Sequence, residues 1–179
     1  MKRLYFVIPV VIFLSLAALL YIGLFQGPPS ELPSPLIGKP APGIALPALD
    51  AQTPGFARSE LGQGHPIIVN FWSSWCAPCR VEHPTLEALA KQPGVTIYGV
   101  DYKESLYGRD AKDARAFLTE LGNPFEKINQ DSEGRVAIDW GVTGVPETFV
   151  VDSKGIIRVH YAGPLNDEVL QRLILPALK

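Results

Sequence analysis

Apolar positions along this chain fall into blocks of different length and period. The longest covers residues 4–25 without one charged side chain. At about 1.5 Å each, its roughly 22 residues reach across a bilayer core of about 30 Å. Pro9 lies near its start, where a slight kink absorbs the missing N–H. Residues 26–37 include Pro28, Pro29, Pro33 and Pro35, which predicts an extended, semi-rigid linker. From Gly38 to Asp50 the pattern alternates weakly and is broken by prolines, predicting short edge strands or a hairpin in front of a main sheet.

Ile67, Ile68 and Val69, followed by Phe71 and Trp72, predict a buried strand over 67–72. The following residues predict a helix over 77–91, with Val81, Leu86 and Leu89 on its packed face and a kink at Pro84. A second central strand is predicted over 95–100 with Asp101 at its end. Residues 109–121 form an amphipathic helix with Ala114, Phe117, Leu118 and Leu121 on one face, stopped by Gly122-Asn123-Pro124. A short helix over 133–140 follows. Strands over 148–151 and 156–161, joined by the turn Asp152-Ser153-Lys154-Gly155, predict an antiparallel hairpin. Asn166 or Asp167 caps a final helix through residue 175, and Pro176 interrupts its end. This order describes an α/β domain over 38–179, a central mixed sheet flanked by helices, with few arrangements left open by the right-handed crossover rule.

The 179 residues are 47% hydrophobic and 19% charged, ordinary for one domain apart from the apolar N-terminus. Lys2 and Arg3 precede the block and no charge follows it until Glu31. That asymmetry predicts a single signal-anchor helix over 1–25, its start in the cytoplasm and the domain across the membrane. A cleaved signal peptide is the competing reading, since Ser15-Leu16-Ala17 is a small-x-small triplet. The block runs well past it, longer than a signal core. Taking Lys2 and Arg3 from the 16 basic residues leaves 14 against 18 acidic, a formal charge of −4, which argues against nucleic-acid binding.

Both cysteines, Cys76 and Cys79, lie in Trp75-Cys76-Ala77-Pro78-Cys79-Arg80 at the predicted strand-to-helix junction. There the first sulfur meets free backbone N–H groups and the positive end of the helix dipole, which stabilise a thiolate. The thiolate attacks disulfides, and Cys79, one turn on, can resolve the mixed disulfide. Other uses of the pair are weaker. A zinc site would need His65, His83 and His160 to gather around it, c-type haem attachment needs His where Arg80 stands, and a structural disulfide closing so short a loop constrains the unfolded chain little. In an oxidising compartment the pair stays active only if a partner keeps reducing it.

Trp75-Cys76-Ala77-Pro78-Cys79 after a strand, Pro84 further on, and Gly144-Val145-Pro146 before a later strand resemble the thioredoxin superfamily over residues 38–179. Arg80-x-Glu82-His83, Asp101-Tyr102-Lys103, Leu121-Gly122-Asn123-Pro124, Gly141-Val142-Thr143-Gly144-Val145-Pro146-Glu147-Thr148-Phe149 and Gly155-Ile156-Ile157-Arg158 narrow the resemblance to the membrane-anchored CcmG/DsbE family of cytochrome c maturation. It implies a thioredoxin-like fold and a cis Val145-Pro146 peptide facing the disulfide, where backbone groups meet an extended substrate strand. It also implies a reductant in the periplasm, tethered to the bacterial inner membrane. The substrate would be the oxidised C-x-x-C-H site of apocytochrome c or a thiol partner of that machinery, and the electron donor a DsbD- or CcdA-type membrane protein. No cofactor and no metal are implied.

Two carboxylates stand near the thiols. Glu82, three residues after Cys79, is expected to point inward beneath the sulfurs and accept the resolving thiol's proton, replacing the strand aspartate of thioredoxin where this chain has Asn70. Glu147 is expected beside the active site, helping to select the partner, and Trp75 as a wall beside Cys76. The bland alternatives are solvated acids and a core aromatic. His83 reads as a helix-surface histidine without chemistry, and the roles of Tyr102 and Lys103 are not legible. Two rival functions remain open: a general disulfide oxidase, and a non-enzymatic Cu(I)-binding thiol module.

Overall fold

The structure, a computed structural model, describes residues 2–25 and 34–179. It divides into two units, Met1–Glu31 and Leu32–Lys179. The first holds helix α1, Lys2–Phe25, 24 residues long with Pro9 inside. The side chains of residues 8–21 are exposed. Among the described residues no helix is long and apolar enough to cross a membrane. Most of the predicted linker, residues 26–33, lies outside the described residues.

In the second unit five strands form one mixed sheet in the order β3-β2-β1-β4-β5: β1 Ile67–Trp72, β2 Ile97–Tyr102, β3 Lys127–Asp131, β4 Glu147–Val151 and β5 Ile157–Ala162. β1 runs parallel to β2, and β2 to β3, while β4 lies antiparallel to β1 and to β5. Helix α2, Ala77–Ala90, connects β1 to β2, and α3, Ala111–Leu121, connects β2 to β3. A short α4, Arg135–Asp139, precedes β4.

All six residues of β1 are buried, as a central strand requires. Its side chains alternate between two cores. Ile68 and Trp72 pack with Leu86 and Leu89 of α2, Ala114, Phe117 and Leu118 of α3, and Val169, Leu170 and Ile174 near the C-terminus. Ile67, Val69 and Phe71 pack with Val136, Ala137 and Trp140 around α4, and with Ala41, Ile44, Phe56 and Leu61 of the segment before β1. The β4–β5 hairpin turns on Asp152, whose Oδ1 accepts the N–H groups of Lys154 at 2.8 Å and Ile156 at 2.9 Å.

Several details depart from the sequence reading. Val81 is not on the packed face of α2; it is 74% exposed, because it follows the first turn on the side facing away from the sheet. The second central strand sits two residues later than predicted, so Asp101 and Tyr102 belong to β2 rather than to its exit. β3 was unforeseen, having one large apolar residue, Ile128, among Lys127-Ile128-Asn129-Gln130-Asp131. Residues 38–50 form no hairpin. They touch the sheet through two isolated bridges, Pro40 to Ile156 and Ala48 to Asn129, since proline every few residues removes the N–H groups a ladder needs. Asn166 caps the final helical run by accepting the Val169 N–H at 2.9 Å. That run consists of Asp167–Val169, a π-helical stretch Leu170–Ile174 and Leu175–Ala177. The wider turn ahead of Pro176 accommodates its missing N–H.

Candidate active site

Because β1 and β2 are parallel and β4 runs against them, the exits of β1 and β2 and the entry of β4 share one edge of the sheet. Three connections therefore converge there: the segment carrying Cys76, the short turn Glu104–Tyr107 after β2, and the loop ending at Pro146.

Cys76 is the N-cap of α2, and its Sγ accepts the Cys79 N–H at 3.1 Å. The two cysteines are joined in a disulfide. Both are nearly buried, at 3% and 2% exposure. A recess of about 330 Å³ opens beside the pair, lined by Ser74, Trp75, Cys76, Ala77, Arg80, Val81 and Arg109 but not by Cys79. The approachable sulfur is therefore that of Cys76, the same sulfur that the helix N-terminus favours as a thiolate. The exposure of Val81, unexplained by core packing, belongs to this recess.

The Val145–Pro146 peptide is cis. The Val145 carbonyl oxygen lies 3.4 Å from Cys76 Sγ, within reach of an S–H once the pair is reduced. Trp75 is half-buried beside Cys76. Its indole N–H donates to the Lys103 carbonyl at 3.3 Å, and its ring lies 4.4 Å from that of Tyr107. Lys103 holds a left-handed backbone, φ 49°, unusual for a residue with a side chain. That conformation starts the turn and aims the carbonyl at Trp75.

Glu82 is fully buried and points inward. Its Oε1 accepts the Asn70 amide at 3.0 Å and its Oε2 the Leu165 N–H at 2.8 Å. Asn70 also donates to the Thr148 hydroxyl at 3.1 Å, tying β1 to β4. Burial pushes the Glu82 carboxyl up to about 7, against the pull of the Leu165 N–H and Asn70. Glu147 is buried too, at 1% exposure, and is no solvated acid. Its Oε1 accepts the Thr143 N–H at 2.7 Å, the Thr143 hydroxyl at 2.8 Å and the Gly144 N–H at 3.0 Å. Its Oε2 meets His160 Nε2 at 2.5 Å. Burial acts to raise its pKa, but the bonds from His160, Thr143 and Gly144 outweigh that and hold the carboxyl below its ordinary value. Glu147 thus fastens the loop in front of Pro146 from beneath.

His83 is buried at 2%, not on the helix surface. Its Nε2 pairs with the Gly122 carbonyl at 2.9 Å, and its ring meets Phe117 edge-on. Burial holds its pKa below the ordinary histidine value. It joins α2 to the end of α3, which a local pattern cannot show. Glu104 went unnoticed in the sequence as well. It is 2% exposed and accepts the Ser74 N–H at 2.5 Å, the Ser73 hydroxyl at 3.0 Å and the Ser74 hydroxyl at 2.7 Å. Only the crossing of two loops brings it under the cysteine segment.

A cysteine pair at a helix start, one sulfur approachable and a cis-proline loop against it, is the arrangement of a thioredoxin-like exchange site. Residues 37–160 match the model of the AhpC/TSA family. The chain belongs to that family, among its DsbE-type members. It is 44% identical to the thiol:disulfide interchange protein HelX of Rhodobacter capsulatus, covering 88% of this chain and 86% of that one. It is 41% identical to the thiol:disulfide interchange protein DsbE of Escherichia coli K12, covering 98% and 94%. Among solved structures, one assigned as DsbE from Chlorobium tepidum superposes with a TM-score of 0.64 at 28% identity, over 80% of this chain and 98% of that one.

The chain is a thiol:disulfide oxidoreductase. In the reducing direction the Cys76 thiolate attacks one sulfur of a partner disulfide, forming a mixed disulfide and releasing the partner's other sulfur as thiolate. Cys79, deprotonated, then attacks Cys76 Sγ, which leaves the partner with two thiols and this chain with its disulfide. Two electrons and two protons pass to the partner.

Proposed function

We propose that this chain works as a reductant in the periplasm, tethered to the inner membrane by residues 1–25, and that it serves cytochrome c maturation. Its substrate is the oxidised C-x-x-C-H site of apocytochrome c or a thiol protein that handles it, and a DsbD- or CcdA-type membrane protein reduces it again. The observation that carries the direction is the pair of buried acids, Glu82 and Glu147, at the sheet edge that holds Cys76 and Cys79. Negative charge near a thiol opposes thiolate formation and withholds from the reduced state the stabilisation that makes an oxidant. The similarity to DsbE and HelX along most of the chain supports the same family role. The uncharged run over residues 4–25 behind Lys2 and Arg3 supports the tether and its orientation. Glu82 is the group to take the Cys79 proton during resolution, since a carboxyl near 7 exchanges protons at working pH.

The test is the equilibrium reduction potential of the Cys76–Cys79 pair in the full chain, titrated against glutathione or dithiothreitol. The reading requires a value near that of thioredoxin, about −270 mV. A value near that of the oxidant DsbA, about −120 mV, would reverse the direction of electron flow.

A further inference from the structure

A second group of acids lies under the loop that carries Trp75 and Cys76, and the exchange steps above make no use of it. Asp101 near the end of β2 is 0% exposed, Glu104 on the following turn 2%, and Asp131 at the end of the neighbouring β3 1%. Carboxylates buried side by side do not all ionise. Asp131 Oδ2 accepts the Ala137 N–H at 2.8 Å. Glu104 takes the three donors of Ser73 and Ser74 already described. Among the described residues Asp101 accepts one long hydrogen bond, from the Gln130 amide at 3.5 Å, and its Oδ1 meets no donor. Yet its carboxyl faces that of Glu104, three residues on, closely enough for the two to interact. Contact between two carboxyls is attractive only when a proton lies between them. Since Glu104 is the acceptor for three other groups, Asp101 carries that proton.

We propose that Asp101 and Glu104 are positioning residues for the exchange reaction, a carboxyl pair sharing one proton that holds the Ser73–Ser74 turn and so fixes how a partner disulfide meets Cys76. Glu104 grips the backbone two residues before Cys76. The same turn supplies the Lys103 carbonyl to Trp75. Arg109 closes the unit, its N–H donating to the Glu104 carbonyl at 3.1 Å and its guanidinium to Ser74 Oγ at 3.4 Å. The groups facing Asp101 are Glu104 from the turn, Gln130 and Asp131 from β3, and Trp72, its register partner on β1. None of them is a cation, so removal of the shared proton sets two buried charges against each other and pushes Glu104 off Ser74. Burial first, then the neighbouring Glu104, accordingly holds the Asp101 carboxyl well above its ordinary value.

The inference rests on exchange at Cys76 and not on the identity of the partner. The experiment follows the rate at which the reduced full-length chain reduces a disulfide peptide between pH 6 and 10, with thiolate absorbance read in parallel to separate the titration of Cys76. The wild type gains rate as Cys76 ionises and loses it on an alkaline limb. Asp101→Ala is slower by about ten-fold throughout, the scale of a misplaced reacting group. Asp101→Asn, whose amide still donates to Glu104, regains the neutral-pH rate and lacks the alkaline limb. An alkaline limb unchanged in Asp101→Asn, or no rescue by asparagine over alanine, overturns the proposal. A second readout needs no variant: the carboxyl carbon resonance of Asp101 in the wild type reports a protonated acid at neutral pH, and an ionised one overturns the proposal. No peptide reduction by the wild type at any pH would instead overturn the exchange chemistry itself.

Discussion

Glu82 and Glu147 stand at one end of the same sheet in opposite electrostatic states. Glu82 has two neutral donors and little else, so burial dominates and lifts its carboxyl to about 7 from an ordinary value of 4.5. Glu82 ionises first in the unfolded chain, so its contribution to stability falls as pH rises from 4.5 through 7 and is level above. A shift of that size corresponds to about 3 kcal/mol. Urea unfolding of the oxidised chain across this window should show that decline, and Glu82→Gln should show a shallower one, the remainder coming from Asp101, whose carboxyl is raised as well. Glu147 has the reverse sign. Its folded pKa is depressed, so its contribution is present above the unfolded value and is lost as pH falls through the folded one. Glu147→Ala leaves the Thr143 and Gly144 N–H groups without their acceptor and should cost about 2–4 kcal/mol in the same assay. Sequence spacing was enough to turn Glu82 inward. It could not turn His83 inward, because that depends on the Gly122 carbonyl, 39 residues away, ending its own helix opposite it.

Between elements, two backbones come close at Gly62, where the turn after Arg58–Glu60 meets the β4–β5 hairpin. Its φ is +91°, and a Cβ there would lie 2.3 Å from the Gly155 nitrogen. Both the dihedral and the clash oppose a side chain, so Gly62→Ala should lower stability by about 3 kcal/mol, read as a fall in the urea midpoint with an unchanged slope. Long apolar elements were legible because their period is set locally. β1, with its continuous run, and α3, with Ala114, Phe117 and Leu118 at helical spacing, appear at or within two residues of their predicted bounds. β3 was not legible. It is an edge strand whose Asn129 faces the segment before β1, accepting the Phe56 N–H at 2.8 Å and donating to the Leu46 carbonyl at 2.9 Å. A polar side chain with buried partners of this kind looks like loop until the partners are in place.

For the molecule as a whole, the acids around the thiols predict which redox form is the firmer one. Reduction returns two ionisable groups to a buried, negatively charged end of the sheet, while the disulfide carries no charge. The oxidised chain should therefore unfold at a higher urea concentration than the reduced chain, the opposite of a strong oxidant such as DsbA, whose reduced form is the stabilised one. Equal midpoints, or a firmer reduced form, would contradict the reductant reading independently of any substrate.

By itself the sequence determined the redox pair, its place at a strand-to-helix junction, the central strands and the hairpin, because each depends on residues within one or two turns of one another. The cysteine spacing and the apolar periods carry that information locally. Only the tertiary structure decided what surrounds the pair. Parallel β1 and β2 and the opposed β4 bring three connections to one edge, and there the chain sets Val145 against Cys76, Lys103 against Trp75 and Glu104 beneath Ser74. Those contacts join positions about 30 to 70 residues apart, and their electrostatics follow from burial, a property that no single stretch of the chain possesses before it folds.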